Sequence, residues 1–171
     1  MVDRKTFRDA MARLGAAVNI VTCVARSGPV GLTASAVCSV SDDPPTLIVC
    51  VNRASRLNVA FKESGTLCVN ALAAEQQHLS GVFAGQTGAD MKDRFAMAVW
   101  RTLVTGAPVL QGCITSFDCS IAEVMEVGSH SVFFCRVMGT LNGPMQEGLI
   151  YFDRQYHNIG ATVARRPAIG M

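Results

Sequence analysis

Charge is the first thing this chain is short of. Of 171 residues, 15 are Lys or Arg and 13 are Asp or Glu, a net charge of +2. So small and scattered a balance gives no electrostatic grip on nucleic acid or an anionic membrane. The Arg165-Arg166 pair near the end reads as a solvated tail. Histidine is equally scarce: His78, His130 and His157 are too dispersed to spell a metal site. No apolar run approaches the ~20 residues that span a bilayer. The opening residues, MVDRKTFRD, hold no apolar signal core. These absences read as a cytoplasmic protein with no metal, no membrane partner and no nucleic-acid partner.

Familiar catalytic signatures are missing too. No G-x-G-x-x-G follows a strand, no G-x-x-x-x-G-K-[ST] occurs, and there is no G-x-S-x-G elbow. Glu123 and Glu126 lie in a strand-like stretch and do not suggest a paired-carboxylate hydrolase. Cysteine is plentiful but unpatterned. The seven cysteines form no C-x-x-C, are odd in number, and mostly sit in apolar runs such as LIVCVN and VFFCRV. They read as reduced, small hydrophobic residues.

What is present is apolar: half of the residues, with a mean hydropathy of +0.30. That composition implies a large buried surface, with enough left over for a subunit interface. The length fits one domain over residues 1–171, with 162–171 loosely held. Asp3 can cap a first helix with Phe7, Ala10, Met11 and Leu14 on one face and Gly15 as its left-handed stop. Residues 17–25 read as a strand, 27–29 as a turn, and 30–41 as one extended stretch broken at 42–45. Residues 46–51 read as a strand buried on both faces. A short helix over 55–63 is capped by Ser55 and closed at Gly65, and 66–72 form another strand. Short helices follow at 75–84 and 89–97, and residues 113–153 are mostly strand, with turns at 128–129 and 142–144. Many strands with few, short helices predict a mainly β, closed or nearly closed antiparallel barrel with peripheral helices.

The stretch GLTASAVCSVSDDPPTLIVCVNRASR, residues 31–56, carries the most information. Thr33, Ala34, Ser35 and Ala36 have little side-chain bulk, so a flat ligand could lie against their backbone. Asn52–Arg56 could clamp an anion if Ser55 opens a helix, because the free N–H groups and the arginines would both face it. Each segment also has a plainer reading, as a solvated edge strand and as a capped surface helix. His130 follows Gly128-Ser129 at a strand start, as either a hydrogen-bonded structural residue or a donor facing a pocket. Residues 153–157, DRQYH, read as a polar strand end or as a segment reaching a pocket, its own or a neighbouring subunit's.

Together, FRDAM, GLTASAVCSVSDDPPTLIVCVN, LCVNAL, VFAGQT, VGSH and YFDRQYH resemble the short-chain NAD(P)H:flavin oxidoreductases, the flavin reductase components of two-component monooxygenases. Within that family the chain looks most similar to the reductases serving 4-hydroxyphenylacetate and pyrimidine-utilisation oxygenases. The resemblance implies an FMN-binding split β-barrel of Greek-key type, a homodimer, and hydride transfer from NADH or NADPH to FMN or FAD for a partner monooxygenase. It implies that Thr33, Ala34, Ser35 and Ala36 line the flavin ring, with Ser39 and Ser41 toward its ribityl or phosphate end. Asn52, Arg53, Ser55 and Arg56 would hold the phosphate, and Phe83 and Ala84 would close the site. His130, Arg154, Tyr156 and His157 would contact the nicotinamide nucleotide. Many members carry G-D-H where this chain has Gly128-Ser129-His130. The competing readings are another split-barrel flavoprotein (a ferric reductase or a pyridoxamine-phosphate oxidase relative) and a non-enzymatic flavin or haem binder.

Overall fold

The computed structural model describes residues 1–160; the expectation of a loose tail at 162–171 lies outside them. Asp3 caps α1 (Arg4–Met11), accepting from the amides of Lys5 and Thr6. The helix ends earlier than Gly15. Arg13 and Leu14 donate to the carbonyls of Ala10 and Met11, which tightens the chain into turns. Asp153 N–H then binds the Ala12 carbonyl. Gly15 therefore supplies no left-handed stop, and no residue of α1 is buried.

Seven antiparallel strands form the main sheet. They are β2 (Asn19–Ala25), β3 (Gly28–Ala34), β4 (Val37–Asp42), β5 (Pro45–Asn52), β6 (Thr66–Ala71), β9 (Thr115–Val127) and β10 (His130–Asn142). Their order is β3-β2-β6-β9-β10-β5-β4. A second sheet joins β1 (Ala16–Ala17), β11 (Gly148–Phe152) and β12 (Gln155–Ile159), and a small pair joins β7 (Trp100–Arg101) to β8 (Val109–Leu110). The long hairpin of β9 and β10 bends at two register shifts, where Ala122 and Met138 are left without a paired residue. Such bulges increase local twist, so one hairpin can wrap around the core. Val21, Leu47, Val49, Phe61, Val69 and Phe133 meet inside it, drawn from four strands of one side and another plus α2 (Arg56–Ser64).

The extended stretch expected at 30–41 is two strands. β3 and β4 are the outer edges of the main sheet, consecutive in the chain and not paired, with Ser35-Ala36 between them. This is a split barrel. The strands buried on both faces are β2 and β6 rather than 46–51. Val21 and Cys23 enter the barrel core, while Ile20 joins Leu72, Leu79, Phe83 and Leu149 in a second core under the three-stranded sheet. β5 instead alternates: Leu47, Val49 and Val51 are buried, and Ile48 and Cys50 are half-buried on its outer face. The difference follows from layers, since α3 (Gln77–Phe83) and the second sheet cover β2 whereas, among the described residues, no element covers β5 as fully.

A polar knot ties the layers together. Asn70, fully buried on β6, accepts from Leu110 N (2.8 Å) and Ser116 Oγ (2.8 Å) and donates to the Ile20 carbonyl (3.1 Å). Asp118, also buried, accepts from the amides of Val104 (2.7 Å) and Thr105 (2.8 Å) and anchors the loop before β8. Buried polar groups satisfied in this way fix one arrangement of the elements they join.

All seven cysteines are free, and five are buried. Burial pushes the Cys23 and Cys135 thiols up from 9.0 to about 12. Raised folded-state values mean that the unfolded chain loses protons first as pH rises. The thiols' contribution to stability is therefore complete below pH about 9 and is lost progressively towards about 12. Thermal midpoints measured across that alkaline window should fall steadily, and less steeply in Cys23→Ala. A flat profile would contradict buried, protonated thiols.

Candidate functional site

The gap at Ser35-Ala36 opens onto a cleft of about 630 Å³. Its floor is the end of β3 and the link to β4: Thr33, Ala34, Ser35 and Ala36. The first turn of α2 forms one wall, and the end of α3 with α4 (Met91–Ala96) forms another. The floor is braced from behind. Thr33 Oγ1 donates to the Ser80 carbonyl (2.7 Å), and Ser80 Oγ pairs with the Tyr156 hydroxyl (2.8 Å). Asn19 Nδ2 donates to the Ala34 carbonyl (3.2 Å), and Ala36 O accepts from Cys50 N (3.0 Å). Gly31 lets Phe83 come close, because a Cβ there would stand 3.2 Å from the Phe83 ring. Phe83 is then held edge-on by Phe95 and Trp100, with centroids 5.3 and 5.7 Å away.

The anion wall is built by short-range capping. Ser55 Oγ accepts from Leu57 N (3.3 Å), and Asn52 Oδ1 accepts from Ala54 N (2.9 Å). The Arg56 amide has no partner among the described residues. Its side chain, exposed in the cleft, forms no salt bridge among them. A helix start with an open amide and an unpaired guanidinium is an anion receptor. Asn58, buried one turn on, pins α2 to the Val51 carbonyl (3.1 Å) and Ser131 Oγ (3.0 Å). His130 stands opposite Asn52 in the β5–β10 ladder and lines the cleft. Its Nδ1 lies 2.9 Å from Ser129 Oγ.

The cleft thus gathers Thr33, Ala34, Ser35, Ala36, Asn52, Ser55, Arg56, Phe83, Ala84 and His130. Arg53 is directed elsewhere. It bonds Glu126 (3.0 Å) and the Gly128 carbonyl (3.3 Å), while its amide donates to Ser129 O (2.9 Å). Lys62 shares Glu126 at 2.6 Å, and its hydrogen bond is the main cause holding that carboxylate below its ordinary range; Ser131 and Arg53 add to this. Arg53 therefore stitches the β9–β10 turn to the loop before α2. Ser39 and Ser41 line a separate cavity of about 290 Å³ at the base of the barrel. Tyr156 lines a smaller one, about 210 Å³, that shares Thr33, Ala34 and Ser35 with the main cleft. Arg154 pairs with Asp9 of α1, and His157 packs edge-on against Phe152, centroids 5.9 Å apart. The sequence reading missed Arg94, Met91, Gly85 and Cys50 in the cleft. MKDRF looks like any short amphiphilic helix, and Cys50 was absorbed into an apolar run.

A split barrel with a flat, small-residue floor and an anion receptor beside it defines a flavin-binding oxidoreductase of the split-barrel class. The chain belongs to the flavin reductase family: the model of the flavin reductase like domain matches residues 11–160. It is 51% identical over 158 residues to the FMN reductase (NADH) RutF of Serratia proteamaculans, covering 92% of this chain and 89% of that one. It is 49% identical over 171 residues to RutF of Cronobacter sakazakii, covering 100% and 99%. Among solved structures it resembles BorF, the flavin reductase component of a bacterial two-component tryptophan halogenase (TM-score 0.86, 28% identity, 94% of this chain and 100% of that one). It also resembles the Streptomyces globisporus NADH:FAD oxidoreductase SgcE6 in complex with NAD and FAD fragments (TM-score 0.83, 27% identity, 92% and 93%).

The residues present fit a phosphorylated flavin. The cleft volume lies in the roughly 300–1,000 Å³ range of small-molecule sites; its floor is free of bulk and its anion wall is unpaired. Ser35 is exposed on that floor, so Ser35→Trp should fill the cleft while leaving the core intact. Flavin fluorescence titration should show binding weakened at least tenfold, with a thermal midpoint close to wild type. Normal binding by the variant would remove the ring from this floor.

Proposed function

We propose that this chain is a single-domain, cytoplasmic NADH:FMN reductase, a homodimer that supplies reduced FMN to a partner monooxygenase. The observation that carries the reading is the pairing of a small-residue floor with the Arg56–Ser55 anion receptor across one cleft. The names of the RutF relatives favour FMN over FAD and NADH over NADPH. BorF's role in a two-component system favours an oxygenase as recipient. Bound flavin supplies the chemistry: it takes a hydride from reduced nicotinamide and carries two electrons onward.

The protein's part is placement. Hydride transfer needs reacting atoms about 3–3.5 Å apart, and a rigid floor sets that distance for one reactant. Thr33 and Ala34 are held from behind, so the floor does not sag when a ring lies on it. Arg56 and the open amide fix the phosphate end. His130, half-buried and steadied by Ser129, orients the nicotinamide carboxamide. The cleft is open to solvent along one side, which suits release of the product to a second protein.

The homodimer rests on the family resemblance and on one surface. Ile48, Val132 and Phe134 are half-buried apolar residues on the same outer face as Cys50 and His130. A second copy covering that face would border the cleft. Arg154 and His157, outside their own chain's cleft, would then reach the nicotinamide nucleotide in the other copy's.

Riboflavin, which lacks the phosphate, tests the anion assignment. Arg56→Gln should raise KM for FMN about ten- to a hundredfold, as expected for a lost charge-assisted hydrogen bond of about 1.5–3 kcal/mol. The same variant should handle riboflavin like the wild type. Equal effects on both flavins would move the phosphate away from Arg56. For His130→Ala, steady-state kinetics should show a raised KM for NADH with KM for FMN nearly constant. Unaltered NADH kinetics would return His130 to a purely structural role.

A further inference from the structure

We propose that Arg94 receives the diphosphate of the dinucleotide reductant, so that each chain supplies its own cleft with one cation for each of the two anionic reactants. This deepens the NADH:FMN reductase reading and rests on it. Arg94 enters the cleft from α4, on a different wall from Arg56. It is half-buried, and among the described residues no carboxylate lies within salt-bridge distance of it. Withdrawing a guanidinium from water without an opposing charge is costly. A side chain kept in that state is held ready for an anion that arrives from outside.

Its geometry selects the kind of anion. Nε donates to the Ala89 carbonyl at 2.8 Å, which fixes the plane of the group and leaves the two terminal nitrogens for a ligand. Nη2 lies 3.8 Å from the place a Cβ on Gly85 would take, and Gly85 has a φ of +81°, a conformation that disfavours any side chain there. The backbone at Gly85 therefore leaves the guanidinium uncovered toward the cleft. The helix beneath is also fixed: Asp90 caps it through Asp93 N (2.8 Å), and Phe95 packs on Trp100 at 4.6 Å. A planted, planar pair of donors suits phosphate oxygens taken two at a time. FMN has a single phosphate, which the start of α2 already receives. The remaining polyanion in the reaction is the diphosphate of NADH.

N-benzyl-dihydronicotinamide isolates the claim, because it keeps the hydride-donating ring and lacks the diphosphate. With saturating FMN, Arg94→Gln should raise KM for NADH about tenfold or more. KM for FMN and kcat should stay within about twofold, and oxidation of the benzyl donor should match wild type. Arg94→Lys, which keeps the charge, should recover part of the NADH affinity. An unchanged KM for NADH in Arg94→Gln overturns the proposal. So does an equal loss with both donors, which would assign Arg94 to the flavin or to the fold. Wild-type protein that oxidises neither donor with FMN present would overturn the reductase reading itself, and this proposal with it.

Discussion

Everything about the cleft depends on one place where the ladder between neighbouring strands stops. Strands β3 and β4 follow each other directly in the chain, yet each pairs only on its other side, with β2 and β5. Ser35 and Ala36 span the break between them. A closed barrel would have paired β3 with β4 and filled the space with side chains. The open one leaves a short, nearly bare ribbon whose neighbours on every side are fixed. Around that ribbon the first turn of α2, the end of α3 and α4 make walls, and each contributes a different chemistry.

The charges near the cleft are sorted by what they are already bonded to. Glu126 draws Arg53 and Lys62 to itself on the far side of the β9–β10 turn. Asp9 draws Lys5 and Arg154 to α1. Among the described residues, Arg56 and Arg94 have no such claim on them. Two neighbouring arginines in the sequence, Arg53 and Arg56, thus have opposite fates: one is a stitch between two loops and the other is a free cation beside a bare floor. Since Arg53 holds both the amide and side-chain contacts to Gly128 and Ser129, it also ties the position of His130 to the position of the anion receptor.

Much of the fold was legible. The capped helix at Ser55 with its stop at Gly65 is local chemistry: a hydroxyl accepting an amide and a glycine at φ 67°. The strands of residues 113–153 follow from alternation punctuated by turn residues, and the family signatures fixed the barrel type. The misreadings share a cause. Gly15 looked like a helix stop because glycine often is one, but the helix ends at Met11 in tight local turns, with the Ala12 carbonyl taken by Asp153 N–H, distant in sequence. Residues 46–51 looked doubly buried because they are uniformly apolar, while β2, with its Asn19 and Thr22, and β6, with its Asn70, are strands that lie between two cores. Burial on a second face depends on which layer covers it, and periodicity carries no record of that.

The sequence by itself determined the local conformations, the barrel class, the family and the ten cleft residues whose types already suited a phosphorylated ring. These are properties of short segments, set by side-chain size, capping and turn chemistry within a few residues. Only the tertiary structure decided which cations stay unpaired. It sent Arg53 and Arg154 to carboxylates on other elements and brought Arg94, from an unremarked helix, to the same opening as Arg56. The reason is physical: an ion pair is a relation between positions that only folding brings within 4 Å, and the charge left over is known only after every other charge has found its partner.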